Sequence, residues 1–124
     1  MEIYPAGTIV CANYKQFKGE VKPGVFVILY DEALDSAHSH KNNVMALKCT
    51  THEDMVSNYS MSPNDGNHDF MSKETVVACS KIHTLGKNQI FKTLGVVHPT
   101  TYKLLYKTCK KFMKELERQV EDYL

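Results

Sequence analysis

The last quarter of the chain repeats apolar residues at steps of three and four, and this pattern constrains the fold more than any other feature. After His98-Pro99 one apolar stripe comprises Tyr102, Leu105, Cys109, Phe112, Leu116, Val120 and Tyr123. Such steps place side chains on one face of an α-helix. We therefore predict an amphipathic helix over about 100–123, with Thr100 as its N-cap and Pro99 preventing an earlier start. The stripe should pack on the rest of the chain, or partly on a second subunit.

Residues 1–97 instead show short apolar runs separated by polar segments, a pattern typical of antiparallel strands. Val25–Tyr30 is continuously apolar, so we predict a strand that is buried on both faces. Further strands are predicted at Thr8–Tyr14, Val44–Cys49, Val56–Met61 and Glu74–Cys79. Loops are predicted at Lys15–Gly24, Asp31–Asn43 and Ser62–Asp69, which are polar or rich in turn-forming residues. The expected fold is mainly β with α, a small barrel of about five to seven strands and one long C-terminal helix.

Length and composition limit the classes of protein that fit. A chain of 124 residues predicts a single domain over 1–124, with the barrel over about 1–97. No apolar run approaches the ~18 residues that a membrane-spanning helix requires, so we expect no membrane partner. The N-terminus lacks the basic and then apolar pattern of a signal peptide, which predicts a cytoplasmic protein. With 15 Lys and Arg against 14 Asp and Glu, net charge indicates no particular partner.

The residues that usually bind metals do not form a recognisable set. The four cysteines are Cys11, Cys49, Cys79 and Cys109, with no CxxC pair among them. Each lies in an apolar segment, where a free cysteine behaves as a small hydrophobic residue. His38 and His40 lie on one side of an extended segment, but no carboxylate or cysteine follows at a ligand spacing. We expect no metal and no cofactor.

The predicted helix carries an unusual distribution of charge, which two interpretations fit. Its first half is basic and its last acidic: Lys103, Lys107, Lys110, Lys111 and Lys114 precede Glu115, Glu117, Glu121 and Asp122. This order opposes the helix dipole. The lysines either form a solvated face or contact a phosphate backbone or an acidic partner.

Three short segments resemble the MazF/PemK toxins of the CcdB/PemK superfamily, and they occur in the order that the family has. They are Gly7-Thr8-Ile9-Val10, then Gly19-Glu20 with Lys22-Pro23 and Val25–Leu29, and finally Ser80–Lys87, followed by Leu94-Gly95 and the amphipathic helix. The resemblance implies an SH3-like barrel that acts as a metal-independent endoribonuclease on single-stranded RNA. It also implies a homodimer and a cognate antitoxin as protein partner.

The chain departs from the family where the chemistry takes place. Lys22 replaces the arginine that handles the scissile phosphate in the family, or Pro23 does so if Gly24 is not an insertion. The family threonine at the end of the third strand corresponds to Lys48 or Thr50, depending on the register. The arginine of the third motif is His83. Lysine cannot copy the planar, bidentate guanidinium, so activity should be weaker or rebuilt.

A rebuilt site would use three catalytic residues with separate roles. Lys22 would hold phosphate, His83 would titrate near neutral pH as acid or base, and Thr50 or Thr51 would position the substrate. Contacts to RNA are expected from Lys15, Lys18, Thr51, Lys81, Thr84 and Lys87. The alternative is a catalytically inactive SH3-like barrel that binds a protein or RNA partner.

Overall fold

A computed structural model describes residues 3–15, 18–34, 42–50, 58–61, 66–68 and 75–123. Within these ranges there are eight strands, two short 3-10 turns and one α-helix. The strands are β1 Thr8–Lys15, β2 Val21–Asp31, β3 Asn43–Thr50, β4 Asn58–Met61, β5 Gly66–His68, β6 Thr75–Ala78, β7 His83–Gly86 and β8 Ile90–Val97. The 3-10 turns are Glu32–Leu34 and Lys87–Gln89, and the helix α1 is Pro99–Tyr123.

The strands form a curved, antiparallel half-barrel, so the predicted barrel with a C-terminal helix is confirmed. Neighbouring strands follow the order β4-β6-β3-β2-β1-β8-β5. One edge of β3 pairs with β2, and the other pairs first with β7 and then with β6. The described ranges hold one strand more than the upper limit of our expectation.

Strand β2 is the centre of the fold because both of its faces are buried. Phe26 and Ile28 belong to one apolar cluster, and Val27 and Leu29 belong to another on the opposite face. Alternate residues of a strand point to opposite faces, so a continuous apolar run serves both clusters at once. The strand predicted at Val25–Tyr30 is confirmed, although β2 is longer at its N-terminal end.

Helix α1 covers the cluster that contains Val27. Leu105 and Cys109 are buried in it, and the Tyr102 hydroxyl donates a hydrogen bond of 2.8 Å to the Leu29 carbonyl. Val120, further along the same stripe, is 49% exposed. The stripe therefore packs on the barrel through its first half. Among the described helices, none is long and apolar enough to cross a membrane.

The N-cap prediction for α1 was wrong by two residues. Pro99 is the first helical residue, and the Tyr102 N–H donates to the His98 carbonyl at 3.0 Å. Proline suits the first position because its missing N–H would have no partner within the helix there. Pro99 therefore opens the helix, and Thr100 lies inside it.

The prediction of a loop over Lys15–Gly24 was also wrong over much of its length. β2 begins at Val21, and Asn13 and Ala12 of β1 lie opposite Pro23 and Gly24. The last recorded β2–β3 pair at this end is Phe26 with Lys48. Among the described strands, β2 therefore has a partner on one side only at Pro23, which is the position at which a strand allows proline.

Three strands, β5, β7 and β8, were not predicted, and β5 and β8 were missed for a related reason. β5 lies inside the loop predicted at Ser62–Asp69 and pairs with β8 through Gly66 and Asn67, which carry no apolar pattern. The pairing of β8 with β1 shifts register twice, so its apolar residues do not alternate cleanly. Backbone pairing, rather than side-chain pattern, forms both strands.

A buried ion pair joins three separate parts of the barrel. The Lys87 ammonium lies 2.8 Å from Asp31 Oδ2, and both side chains are almost fully buried. The Tyr4 and Ala33 N–H groups also donate to this carboxylate, at 2.9 and 3.0 Å. Burial alone raises the pKa of Asp31, but the hydrogen bonds from Lys87, Tyr4 and Ala33 outweigh burial, so its pKa lies below 3.8.

We predict that Asp31→Asn lowers the free energy of unfolding at pH 7 by about 3–5 kcal/mol, because it leaves the Lys87 charge buried and unpaired. Since the folded-state pKa is lowered, the carboxylate contributes its full stability above the ordinary value of 3.8 and loses it as pH falls through the lower one. Urea denaturation at several pH values measures both effects. The double variant Asp31→Asn/Lys87→Met should recover part of the loss, and a single-variant cost below about 1 kcal/mol would contradict the buried pair.

Adjacent leucines of α1 provide a matched test of the helix packing. Leu105 is fully buried, whereas Leu104 is 42% exposed. We predict that Leu105→Ala costs about 3 kcal/mol of unfolding free energy by leaving a cavity. Leu104→Ala should cost less than about 1 kcal/mol. Equal costs in thermal or urea unfolding would mean that the buried face of the helix is misplaced.

Candidate functional site

One face of the sheet changes from apolar to polar along its length. Residues directly opposite each other on paired strands share a face. The register pairs Tyr14 with Lys22, Phe26 with Lys48 and Ala46 with His83. Because side chains alternate, all of these lie on the same face as the buried cluster around Phe26. The polar side chains therefore gather at one end of that face.

A cleft of about 720 Å³ opens at this end of the sheet. We call it the basic cleft, and its lining residues are Tyr14, Lys15, Lys18, Glu20, Lys22, Lys48, Lys81 and His83. Five lysines and one glutamate give it a strong positive charge, although the whole chain is nearly neutral. Such local concentration of one sign attracts anions such as phosphate.

The buried Phe26 ring contacts two of the side chains that line the basic cleft. Tyr14 and His83 both pack against it edge to face, with ring centroids 5.5 Å away in each case. This arrangement is favourable for aromatic pairs. Phe26 is fully buried. The Tyr14 phenol and the His83 imidazole are therefore both packed against the same buried ring.

Gly24 makes room for the tyrosine. A Cβ atom at this position would lie 2.8 Å from Tyr14 Cε1 and 3.2 Å from Phe26 Cε2. Both distances are too short for ordinary packing. The lack of a side chain at Gly24 therefore allows the Tyr14 ring to cross the neighbouring strand and reach the basic cleft.

Lys48 is held in the cleft by Tyr14. Its ammonium donates a hydrogen bond to the Tyr14 hydroxyl oxygen and lies 4.5 Å from the ring centroid. The lysine is half-buried, and it is anchored in the middle of the sheet by pairing with Phe26. Lys48 is therefore a cation with a defined position.

Lys22 is in the same cleft but is much less constrained. Its side chain is 55% exposed, and its ammonium lies 3.8 Å from the carboxylate of Glu20, which is itself 65% exposed. An exposed pair of this kind adds little stability. Lys22 and His83 nonetheless share one cleft, as the rebuilt-site hypothesis requires.

The surroundings of His83 favour its neutral form. Partial burial lowers the pKa of its imidazole below 6.5, and the positive charges of Lys81 and Lys48 lower it further. At pH 7 the ring is therefore mainly neutral and carries a nitrogen lone pair. A neutral imidazole beside ammonium groups can accept a proton from a bound hydroxyl.

The other residues predicted to contact RNA divide into several groups. Lys15, Lys18 and Lys81 line the basic cleft. Thr84 is exposed and lies beside Met45, with its hydroxyl 3.5 Å from the sulfur, and it does not line the cleft. Lys87 is buried against Asp31, so its ammonium serves the fold and we leave it out of the proposed site.

Two predictions fall wholly or partly outside the described residues. Thr51 lies outside them, as do His38 and His40. Thr50 ends β3 with its backbone paired with Val76, but its side chain is outside the described part.

The sequence analysis named Lys48 only as an alternative to Thr50 for the position of the family threonine, and it gave Lys48 no role. The alternation along β3 was the signal that could have found it, because Val44, Ala46 and Lys48 share a face. Its importance follows only from the register with β2, which the sequence did not specify. Among the residues that the structure describes, no group of three or more His, Cys, Asp or Glu side chains could hold a metal ion.

Several solved structures share the fold, whereas no family model and no curated protein matches the sequence. An endoribonuclease from a Mycobacterial species, in complex with its cognate antitoxin, is 20% identical with a TM-score of 0.65, over 90% of this chain and 96% of that one. Mycobacterium tuberculosis toxin MazF-mt6 is 15% identical, with a TM-score of 0.61 over 85% and 96%. A chain of the MazE–MazF complex from Deinococcus radiodurans is 16% identical, with a TM-score of 0.66 over 94% and 98%. The chain thus has the fold of the MazF toxins, as the sequence resemblance implied.

We predict that NMR titration will place the pKa of the His83 imidazole below 6.5, with Lys81→Gln raising it because one repelling charge is removed. His83→Gln identifies the resonance among the six histidines. Lys103→Gln, on α1 and outside the cleft lining, is the matched control and should leave the value unchanged. A pKa at or above 6.5 in the wild type would contradict the proposed environment.

Proposed function

We propose that this chain is a toxin-type endoribonuclease that cleaves single-stranded RNA in the basic cleft without a metal ion. One observation carries the proposal: a fold shared with MazF toxins holds a mainly neutral imidazole among five lysines in one cleft. Lysine ammonium groups attract the phosphate backbone, and an open cleft admits an unpaired strand. Because the proposed substrate is single-stranded RNA, we propose that the protein acts in the cytoplasm.

The chemistry that fits this arrangement is attack by the ribose 2′-hydroxyl on the adjacent phosphate. His83 accepts the hydroxyl proton while the 2′ oxygen forms a bond to phosphorus. The bond from phosphorus to the 5′ oxygen then breaks; this oxygen takes up a proton from a solvent water, and His83 returns its proton to the solvent. The products are a 2′,3′-cyclic phosphate and a 5′-hydroxyl. Lysines of the basic cleft stabilise the negative charge on the phosphorane, so the reaction needs no metal.

The absence of arginine from the described lining of the basic cleft supports the second candidate function. The single arginine, Arg118, lies on α1 with its guanidinium 3.7 Å from Asp122. Ammonium groups cannot bind phosphate in the bidentate way that a guanidinium does. A catalytically inactive barrel that still binds RNA or a protein is therefore the alternative to be tested.

We also propose that the chain binds a protein partner and forms a homodimer. One structure with this fold was solved with its cognate antitoxin, and we propose that this chain also has one. Apolar side chains continue along α1 beyond its packed half, with Met113 and Val120 both about half exposed. This face supports a homodimer, which light scattering at several concentrations would detect.

We predict that the pure protein cuts a long single-stranded RNA in EDTA and leaves 2′,3′-cyclic phosphate ends. His83→Ala should reduce kcat/KM by about a hundred-fold or more, because the proposed base is lost. Lys103→Ala, on the helix, should have little effect. On the acidic side, the activity of the wild type should begin to fall at a pH below 6.5, because the pKa of His83 is lowered and the ring becomes protonated there.

Gel analysis of end-labelled RNA separates the two candidate functions. RNA binding without cleavage at micromolar protein, together with normal growth on expression, would replace the enzyme by the binding module. Cleavage that survives His83→Ala would move the chemistry away from the basic cleft.

A further inference from the structure

The basic cleft contains five lysines, and their positions are not equivalent. Lys48 is held at both ends. Its backbone pairs with Phe26 in the middle of the sheet, and its ammonium donates a hydrogen bond to the Tyr14 hydroxyl. An ammonium has three N–H bonds, and the bond to Tyr14 takes one of them. The group can therefore donate to a phosphate oxygen while the tyrosine still holds it.

The position of Lys48 relative to His83 follows from the register. Lys48 is two residues from Ala46, which lies directly opposite His83, so the lysine and the histidine are diagonal neighbours on one face. The Phe26 ring contacts the imidazole and lies opposite Lys48. The charge of Lys48 also contributes to the lowered pKa of the imidazole, which agrees with this proximity.

Lys22 lacks these restraints. Its side chain is 55% exposed, and the carboxylate of Glu20 lies 3.8 Å from its ammonium. A phosphate at Lys22 would compete with that carboxylate and would have to order a flexible side chain. A preorganised cation stabilises a transition state better than one that must be ordered during the reaction.

We propose that Lys48, not Lys22, is the cation that contacts the scissile phosphate, with Tyr14 as the residue that positions it. This inference rests on the proposed nuclease function for its kinetic consequences but not for the phosphate site itself. Lys22 then contacts the RNA backbone at the outer part of the basic cleft. Tyr14 acts through Lys48 and takes no part in bond making or breaking.

Kinetics of four variants test the assignment: Lys48→Gln, Lys48→Arg, Lys22→Gln and Tyr14→Phe. Lys48→Gln should lower kcat by about a hundred-fold, the loss typical of one well-placed electrostatic donor. Lys22→Gln should raise KM by less than about fivefold, as for an exposed ion pair, and should lower kcat far less than Lys48→Gln does. Lys48→Arg should restore much of the kcat, because the charge returns.

Tyr14→Phe separates positioning from packing, since the ring on Phe26 is kept and only the hydroxyl is removed. We expect a fall in kcat of about tenfold with unchanged KM and an unchanged urea midpoint. An equal kcat loss in Lys22→Gln and Lys48→Gln would overturn the assignment of Lys48. An unchanged kcat in Tyr14→Phe would overturn the role of the tyrosine.

A binding experiment tests the site even if the protein cleaves no RNA. Inorganic phosphate is titrated while the His83 imidazole is followed by NMR. In the wild type and in Lys22→Gln, phosphate should raise the pKa of His83, because an anion favours the protonated ring. In Lys48→Gln this response should disappear. A response that persists in Lys48→Gln, or that is absent from the wild type, overturns the inference, whereas absence of cleavage alone overturns only the nuclease proposal.

Discussion

The packing of two rings on Phe26 is the interaction on which the candidate site depends. Tyr14 comes from β1 and His83 from β7, and neither strand pairs with the other. What brings them together is a buried ring on β2 that both contact edge to face, at 5.5 Å. Removal of that ring would separate the imidazole from the tyrosine and Lys48. The hydrophobic core and the polar cleft are thus two ends of one packed layer.

Lysine side chains have different roles in the core of the barrel and in the basic cleft. Lys87 is buried, and its charge is balanced by Asp31, so it stabilises the barrel. Lys48 and Lys81 face a cleft where the only carboxylate among the described lining residues is Glu20, and their charge lowers the pKa of His83. Burial with a counter-ion gives a structural lysine. Lys48 is half-buried and forms no ion pair with a described residue, so its charge remains for an incoming anion to neutralise.

The sequence predicted those elements whose side chains carry the pattern. The apolar run of β2 and the stripe of α1 depend on burial, and both were found. β5 has no apolar pattern, and β8 pairs with β1 at a register that shifts twice, so neither strand leaves a clear trace in side-chain types. For the same reason the sequence predicted that Lys22 and His83 share a site but gave no role to Lys48, which lies beside His83 in the folded sheet. Lys48 enters the site through a register that only the folded sheet defines.

Replacing a guanidinium by an ammonium changes what the rest of a phosphate site must supply. A guanidinium fixes the orientation of phosphate by its own planar fork, even from a loop. An ammonium is a point charge and gives no orientation, so the protein has to provide it through a rigid attachment. Lys48 has such an attachment, a central strand below and the Tyr14 hydroxyl at its tip. On this argument Gly24 becomes part of the site as well, because only a residue without a side chain lets that tyrosine reach the lysine.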